Sequence, residues 1–493
     1  MHLSKVIKDM AHICTTGDLN RNITSIAYRS SDVEPGSLFI AITGFVTDGH
    51  TYINHAIERG AAAIIAEKDI KIPPNVANIR VKNSRQALAR VAANFHEHPS
   101  TALNMIGITG TNGKTSITHF IKHIFDAAHK KTSLIGTMGT LINDEPIHSD
   151  LTTPEAPKLQ KLLKQMVKRN STSCIMEVSS HAIDLQRVNH IHFNTAIFTN
   201  LTPDHLELHG DMETYFRTKA KLFNQAEDFN IINVDDPYGR RLADEIDREM
   251  LVTYGIHQNA HIYPTDIKYS VNGTTYTAHT PIGQVDITIH LPGEIYVYNS
   301  LAAIACAFVN GISLDIIREG LDRVTGIKGR LETVFEQNDF RVLIDFAHTE
   351  DALKQTLKTI KPYVKGQLIL VFGVYADDSP NGRKKRQGMG NVAAQYADYA
   401  VVTLDNPKTH NQDLIMNDIC DALKAHDASF KSIKDREEAI RHAITTSNDE
   451  DTIVLAGKGH ESTQIIGSEI IPFNETKIIL DAIKTKQFNQ ITS

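Results

Sequence analysis

The chain has 493 residues, 41% hydrophobic and 22% charged, with a formal net charge of −7. That length holds about three domains, each large enough for its own core, and without a basic excess it has nothing to neutralise a nucleic-acid backbone. The first ten residues carry no apolar signal-peptide core, and no apolar run approaches the ~20 residues of a membrane span. We therefore read a cytoplasmic α/β protein that binds small anions, not nucleic acid or lipid. Its four cysteines are far apart, form no CxxC pair and read as free thiols.

Residues 1–98 alternate apolar runs (37–42, 61–66, 77–81) with helical patterning (52–59, 85–96), which predicts a small α/β domain ending at His98-Pro99. It has no catalytic constellation and reads as a substrate-binding unit. From 99 to 328 strands and helices alternate, predicting a mostly parallel sheet. The apolar run 105–108 leads into Gly110-Thr111-Asn112-Gly113-Lys114-Thr115, and apolar residues then fall at Ile117, Phe120, Ile121, Ile124 and Phe125. Strand, glycine loop and amphipathic helix make an ATP phosphate loop. Its backbone N–H groups and helix N-terminus attract phosphate, Lys114 reaches the outer phosphates, and the Thr115 hydroxyl suits Mg²⁺. The spacing is a variant: five residues separate Gly107 from Gly-Lys-Thr, and two separate Gly110 from it, where four are usual.

Two further strands end in polar residues, at Glu177-Val178-Ser179-Ser180-His181 and Asn200-Leu201-Thr202-Pro203-Asp204-His205. Both ends are expected at the same crevice. There Glu177 is the first candidate for Mg²⁺, with His205 close by or else a plain loop histidine. In the helical pattern of 211–223, periodicity alone reads Arg217, Lys219 and Lys221 as a solvated face. Residues 255–295 look like a β-rich insertion, 299–310 a small-residue helix, and 326–329 a linker.

Residues 329–493 repeat the strand–helix logic. Four strands end at Asp345-Phe346-Ala347-His348-Thr349, Gly373, Asp405-Asn406-Pro407-Lys408 and Gly457-Lys458-Gly459-His460-Glu461. These ends predict a second ligand crevice, although 405–408 also reads as an Asn-Pro turn. Asp435 with Glu438 predicts a capped helix start. His119 and His123 lie one helical turn apart without the glutamate of a zinc site, so they read as a surface pair. The run Arg383-Lys384-Lys385-Arg386 lies in a long loop and reads as solvated, with a contact to a phosphate or carboxylate as the alternative.

Taken in order, the phosphate loop, Thr152-Thr153-Pro154-Glu155, the 177–181 and 200–205 ends, His209-Gly210-Asp211, Gly329-Arg330-Leu331-Glu332, 345–349, Asp405-Asn406-Pro407 and 457–461 resemble the Mur ligases, in the muramyl-tripeptide branch, along nearly the whole chain. The resemblance implies three α/β domains: UDP-sugar binding (1–98), a P-loop ATPase-like parallel sheet (99–328), and a Rossmann-like amino-acid domain (329–493). It implies a monomeric ATP- and Mg²⁺-dependent ligase. Such an enzyme adds the third amino acid, a diamino acid, to UDP-N-acetylmuramoyl-L-alanyl-D-glutamate through an acyl phosphate. By resemblance Gly110, Thr111, Asn112, Gly113, Lys114, Thr115, Asn299, Arg330 and Asp345 hold the nucleotide, and Lys114, His205, His348 and Lys219 serve catalysis. Thr115, Glu177, His205 and Lys219 serve the metal, with Lys219 carried as a CO₂-derived carbamate.

On the same basis Ser30, Thr152, Thr153, Ser179 and Arg187 hold the nucleotide-sugar dipeptide, and Asp405, Asn406, Lys408, Gly457 and Glu461 hold the amine. The sequence departs from the family at Arg29-Ser30-Ser31 (for Asp-Ser-Arg), Gly293-Glu294-Ile295-Tyr296 (for Gly-Arg-Phe-Asn), Tyr375-Ala376-Asp377-Asp378 (for Gly-Gly-Asp-Arg-Asp) and Lys408 (for arginine). Lysine keeps the charge there but lacks the bidentate fork. Gly457 and Glu461 favour meso-diaminopimelate. L-lysine or another diamino acid, a specialised paralogue, a folylpolyglutamate-synthase-like ligase and a non-catalytic nucleotide-binding scaffold are the alternatives.

Overall fold

The computed structural model describes residues 1–492 apart from 45–46, 150 and 375–377, and the side chains up to 488. Its main sheets follow one another along the chain, so the three α/β units form in sequence order. The first holds five strands in the order Cys14–Thr16, Ala77–Arg80, Ala63–Ala66, Leu38–Ile40, Ile26–Ala27. Only the edge strand Cys14–Thr16 is antiparallel. Leu38–Ile40 and Ala63–Ala66 are buried at every residue, as expected of strands covered on both faces.

The central sheet has eight strands in the order Leu251–Tyr254, Ala226–Asn233, Phe193–Phe198, Asn104–Thr109, Ser173–Glu177, Thr132–Gly136, Gly139–Ile142, Glu145–Ile147. The first six are parallel and the last two antiparallel. From Asn104–Thr109 the chain crosses to Thr132–Gly136, returns to fill the gap with Ser173–Glu177, and then builds outward on the other side with Phe193–Phe198. Winding reverses at Asn104–Thr109, so a crevice opens at that strand's carboxyl end. The helix Lys114–Ala127 is fastened there by Ile117, Phe120, Ile121, Ile124 and Phe125, all fully buried. Each such side chain contributes roughly 1.5–3 kcal/mol. The helix packs against Glu294–Val309, which begins before the 299 expected from sequence because Gly293, not Asn299, precedes its first turn.

Strands Tyr263–Ser270, Gly273–Thr280 and Gly283–Ile289 form a separate antiparallel sheet within the 255–295 insertion. The third unit is a six-stranded sheet in the order Glu332–Gln337, Phe340–Asp345, Thr452–Ala456, Leu368–Phe372, Tyr399–Val402, Phe430–Ser432. All its pairs are parallel except the first. Asp435 caps the helix Arg436–Thr446 by accepting from the Glu438 N–H.

One expectation is corrected. The basic run 383–386 is not a loop; it lies in the helix Pro380–Tyr396, opened by the Ser379 cap and by Pro380 in the first turn. Arg386 is completely buried against Asp418 at 2.9 Å, and Lys385 reaches Asp204 of the central unit at 3.2 Å. A charge run looks solvated in sequence because its carboxylate partners are remote along the chain. The departure at 375–377 lies outside the described residues. No helix among the described residues is long and apolar enough to cross a membrane.

Candidate active site

The phosphate loop is held from below. Gly113 has φ +89°, and a Cβ there would overlap the side-chain carbonyl of Asn299, so only glycine lets Asn299 support the loop. The Asn112 N–H donates to Asn200 Oδ1 at 3.0 Å, and the Thr199 hydroxyl donates to Asn112 O at 2.7 Å. The strand end 199–204 therefore braces the loop. Lys114 folds back, its Nζ donating to Gly110 O at 3.0 Å and Thr111 O at 2.8 Å. Lys219 donates to the same Gly110 oxygen at 2.9 Å from behind, 4.7 Å above the Tyr215 ring and 1% exposed. Burial first, and the Lys114 charge second, push its amine far below the ordinary lysine range. The solvated face that periodicity assigned to Lys219 is thus wrong, because the helix Met212–Ala220 lays this side chain under the loop.

Opposite the loop, the Glu177 carboxylate accepts from the Thr115 hydroxyl at 3.2 Å and from the Thr137 N–H and hydroxyl, each at 3.0 Å. From the third unit Arg330 donates to Thr115 Oγ1 at 3.0 Å while its guanidinium lies 4.7 Å over the Phe346 ring. Asp345 fixes that corner, accepting from the N–H groups of Leu331 (2.8 Å) and Ala347 (2.9 Å) and from the Thr356 hydroxyl (3.0 Å). Burial raises its pKa, and Arg330 opposes the rise. His348 is pushed down to about 4 by burial and by Lys385, so its ring is neutral at physiological pH. His205, at φ +53°, approaches Asp204 at 3.3 Å and Glu207 at 3.5 Å and meets the His181 ring edge-on. Burial opposes ionisation of Asp204, but Lys385, His205 and His348 outweigh it and hold the carboxyl well below the usual range.

A cavity of about 250 Å³ gathers Thr111, Asn112, Gly113, Lys114, Thr115, Thr152, Glu177, Ser179, His205, Asn299, Arg330, Asp345 and His348. Gly110 and Lys219 back it. Thr152 reaches Thr137 at 3.2 Å, and Thr153 donates to the Glu177 carbonyl oxygen at 2.8 Å. Arg187 donates to Thr153 O at 3.2 Å and pairs with Glu155 at 2.8 Å. Ser30 stands apart from this cavity on a short 3₁₀ turn of the first unit. In the same unit Tyr28 has its pKa raised by burial and by Glu155, with Arg29 and Arg187 acting the other way. Tyr296 lines the wall together with Asn299.

Asp405, Asn406, Gly457 and Glu461 form a second cluster at the strand ends of the third unit. Asn406 Nδ2 donates to Glu461 Oε2 at 3.0 Å and its Oδ1 accepts from the Ile465 N–H at 3.0 Å, so 405–408 is more than a turn. Lys408, at φ +50°, is hydrogen-bonded through its backbone to Ile465 and Gly467.

Sequence reasoning missed Thr137, Asp204 and Asp351 as site residues, while Lys385 makes the carboxylate contact that was the alternative reading of its basic run. Asp351 accepts from Asn112 Nδ2 at 2.9 Å across two units. Nothing local in the sequence signals these contacts. Lys458 was also missed, although a lysine between two glycines after an apolar strand was a usable signal.

Thr115 and Glu177 present a hydroxyl and a carboxylate 3.2 Å apart beside the phosphate loop, a donor set that fits Mg²⁺, which takes few protein oxygens and fills its shell with phosphate and water. Among the described residues there is no group of three or more His, Cys, Asp or Glu that could hold a metal ion.

Three family models match the chain: Mur ligase family, catalytic domain (residues 22–96), Mur ligase middle domain (108–307) and Mur ligase, glutamate ligase domain (329–459). The chain is 41% identical over 483 residues to a UDP-N-acetylmuramoyl-L-alanyl-D-glutamate--2,6-diaminopimelate ligase of Caldanaerobacter subterraneus, covering 98% of this chain and 99% of that one. A protein of the same name from Clostridioides difficile is 41% identical, covering 97% and 98%. A solved structure with that name superposes with a TM-score of 0.68 at 29% identity over 99% of both chains. A folylpolyglutamate synthase of Mycobacterium tuberculosis shares the fold, with a TM-score of 0.63 at 18% identity, over 76% of this chain and 92% of that one. The chain belongs to the Mur ligase family.

Proposed function

We propose that this protein is an ATP-dependent amide-forming ligase that joins meso-diaminopimelate to UDP-N-acetylmuramoyl-L-alanyl-D-glutamate in peptidoglycan precursor synthesis. The observation that carries the reading is the Arg330–Thr115 hydrogen bond. It brings a cation of the third unit onto the phosphate loop of the second, where a transferring phosphoryl group needs charge from both sides.

In this reading residues 1–98 take the UDP-sugar, 99–328 the ATP and 329–493 the amine. A carboxylate of the dipeptide attacks the γ-phosphorus, the bond to ADP breaks, and the amine then displaces phosphate from the acyl phosphate. The chain's work is positioning and charge stabilisation. Loop N–H groups and Lys114 draw the outer phosphates, Arg330 neutralises developing charge, and the neutral His348 ring can accept the proton that the amine nitrogen loses as it bonds to the acyl carbon and phosphate leaves. Mg²⁺ held at Thr115 and Glu177, with His205 alongside, would neutralise phosphate charge. We assign Lys219 a carbamate: burial keeps its amine neutral enough to react with CO₂, and the product would place a carboxylate behind Lys114. Thr152, Thr153, Ser179 and Arg187 are assigned to the dipeptide and Ser30 to the uridine side. L-lysine is the second reading for the amine, because Lys408 lacks arginine's fork.

The test is phosphate release from ATP with the UDP-muramoyl dipeptide and meso-diaminopimelate, L-lysine or ornithine in turn. Release with meso-diaminopimelate at the highest kcat/KM is expected; no release with any amine refutes the ligase reading.

A further inference from the structure

Asp405, Asn406 and Glu461 face one another at the ends of strands Tyr399–Val402 and Thr452–Ala456, and a single ammonium sits among them. Lys458 is 0% exposed; its Nζ donates to Glu461 Oε2 at 3.0 Å and Asn406 Oδ1 at 3.1 Å and reaches Asp405 Oδ1 at 3.4 Å. Lysine has three N–H donors, and here three oxygens face them. The backbone is shaped for this contact. Gly457 has φ +112°, and a Cβ on it would press on Asp405 Oδ2 at 3.2 Å.

We infer that Lys458 is a specificity-determining residue of the amine half-site, where its ammonium cancels one of the two carboxylates and leaves a single negative charge to meet the incoming tail. This inference rests on the assignment of the half-site to a diamino acid. Asp405 and Glu461 carry two negative charges between them and Lys458 one positive, so the cluster carries a net charge of −1. Glu461 is the more open carboxylate, with 34% of its side chain exposed against 6% for Asp405, so the remaining charge lies on the face a ligand reaches. Without Lys458 the same cluster would carry two negative charges, which attract the bare ammonium of an L-lysine tail and repel the carboxylate of a tail that carries both an ammonium and a carboxylate. By removing one of those charges Lys458 weakens the pull on a purely cationic tail and lowers the repulsion of the tail carboxylate. Lys458 therefore discriminates by charge balance, in addition to any grip on the distal carboxylate.

The full-length protein tests this with two readouts. One is kcat/KM for meso-diaminopimelate against L-lysine; the other is acyl-phosphate formation without amine, trapped as the hydroxamate when hydroxylamine displaces phosphate. Hydroxamate formation by Lys458→Met reports the fraction of variant with an intact ATP half-site, and with rates normalised to it the diaminopimelate-to-lysine ratio should fall by about tenfold or more, the scale of one buried charge contact. The loss should fall on the KM for diaminopimelate. Lys458→Arg should keep the wild-type ratio. An unchanged ratio in Lys458→Met, or an equal fall for both amines, overturns the inference. If that variant does not fold, Lys458→Gln carries the same comparison with a neutral donor. Failure of the wild type with every amine would instead refute the proposed function, separately from the role of Lys458.

Discussion

Lys114 and Lys219 donate to one carbonyl oxygen, that of Gly110, at 3.0 and 2.9 Å. Burial pushes both amines below their usual range, joined at Lys219 by repulsion from the Lys114 charge and at Lys114 by Arg330. A negative group on Lys219 would relieve that repulsion and free Lys114 for phosphate. Lys219→Ala is therefore expected to lower turnover at least about 100-fold, the scale of lost electrostatic stabilisation, and bicarbonate should not restore it. In the wild type, ¹³C-bicarbonate should give a carbamate resonance that this variant lacks; identical spectra would remove the carbamate.

Glu177 ties Thr115 to Thr137 at the cavity wall. Glu177→Gln keeps the shape but removes the charge that attracts a divalent cation. A Mg²⁺ titration of phosphate release should shift at least about tenfold toward higher concentration. An unmoved titration would place the metal elsewhere.

Lys385 is the cation that keeps Asp204 ionised inside the protein, across the boundary between the second and third units. Lys385→Met leaves a buried carboxylate without its strongest partner, a loss worth a few kcal/mol where both groups are desolvated and less here because Lys385 is part-exposed. A fall in kcat of about tenfold or more is expected, with little change in the Tm of the separate α/β cores. Unchanged kcat would mean that the contact is absent in the reacting state.

Three histidines outside the cavity lining, His96, His119 and His190, are each pushed down to about 4, chiefly by burial, which for His119 corrects the surface position expected from sequence. Their unfolded values lie near 6.5. Below that pH the unfolded chain binds protons that the folded chain refuses, so stability is full above about 6.5 and lost progressively toward about 4. Urea denaturation at pH 7.5, 6 and 5 should show stability falling by an amount on the order of 1 kcal/mol per histidine. A flat profile would contradict the burial of these rings.

Lys408 stands where an arginine would offer a two-pronged grip on a carboxylate. Lys408→Arg should raise kcat/KM for meso-diaminopimelate severalfold and leave L-lysine unchanged. If neither amine responds, Lys408 does not select.

By sequence alone the chain declared its class, its alternation of strand and helix, the phosphate loop and the polar strand ends, because all of these are local. A period of 3.6, a glycine pair before Lys114 and an apolar run ending in Glu177 are written in adjacent residues. The same locality misled for 383–386, whose buried partners Asp418 and Asp204 lie 32 and 181 positions away. It also hid Lys219, which looks solvated on its own helix and is buried only because the phosphate loop passes over it. Tertiary structure alone decided that Arg330 meets Thr115, that Lys385 keeps Asp204 ionised and that Lys458 sits between two carboxylates. The physical reason is that charge is tolerated inside a protein only beside its partner, and such partners are brought together by the fold, not by sequence proximity.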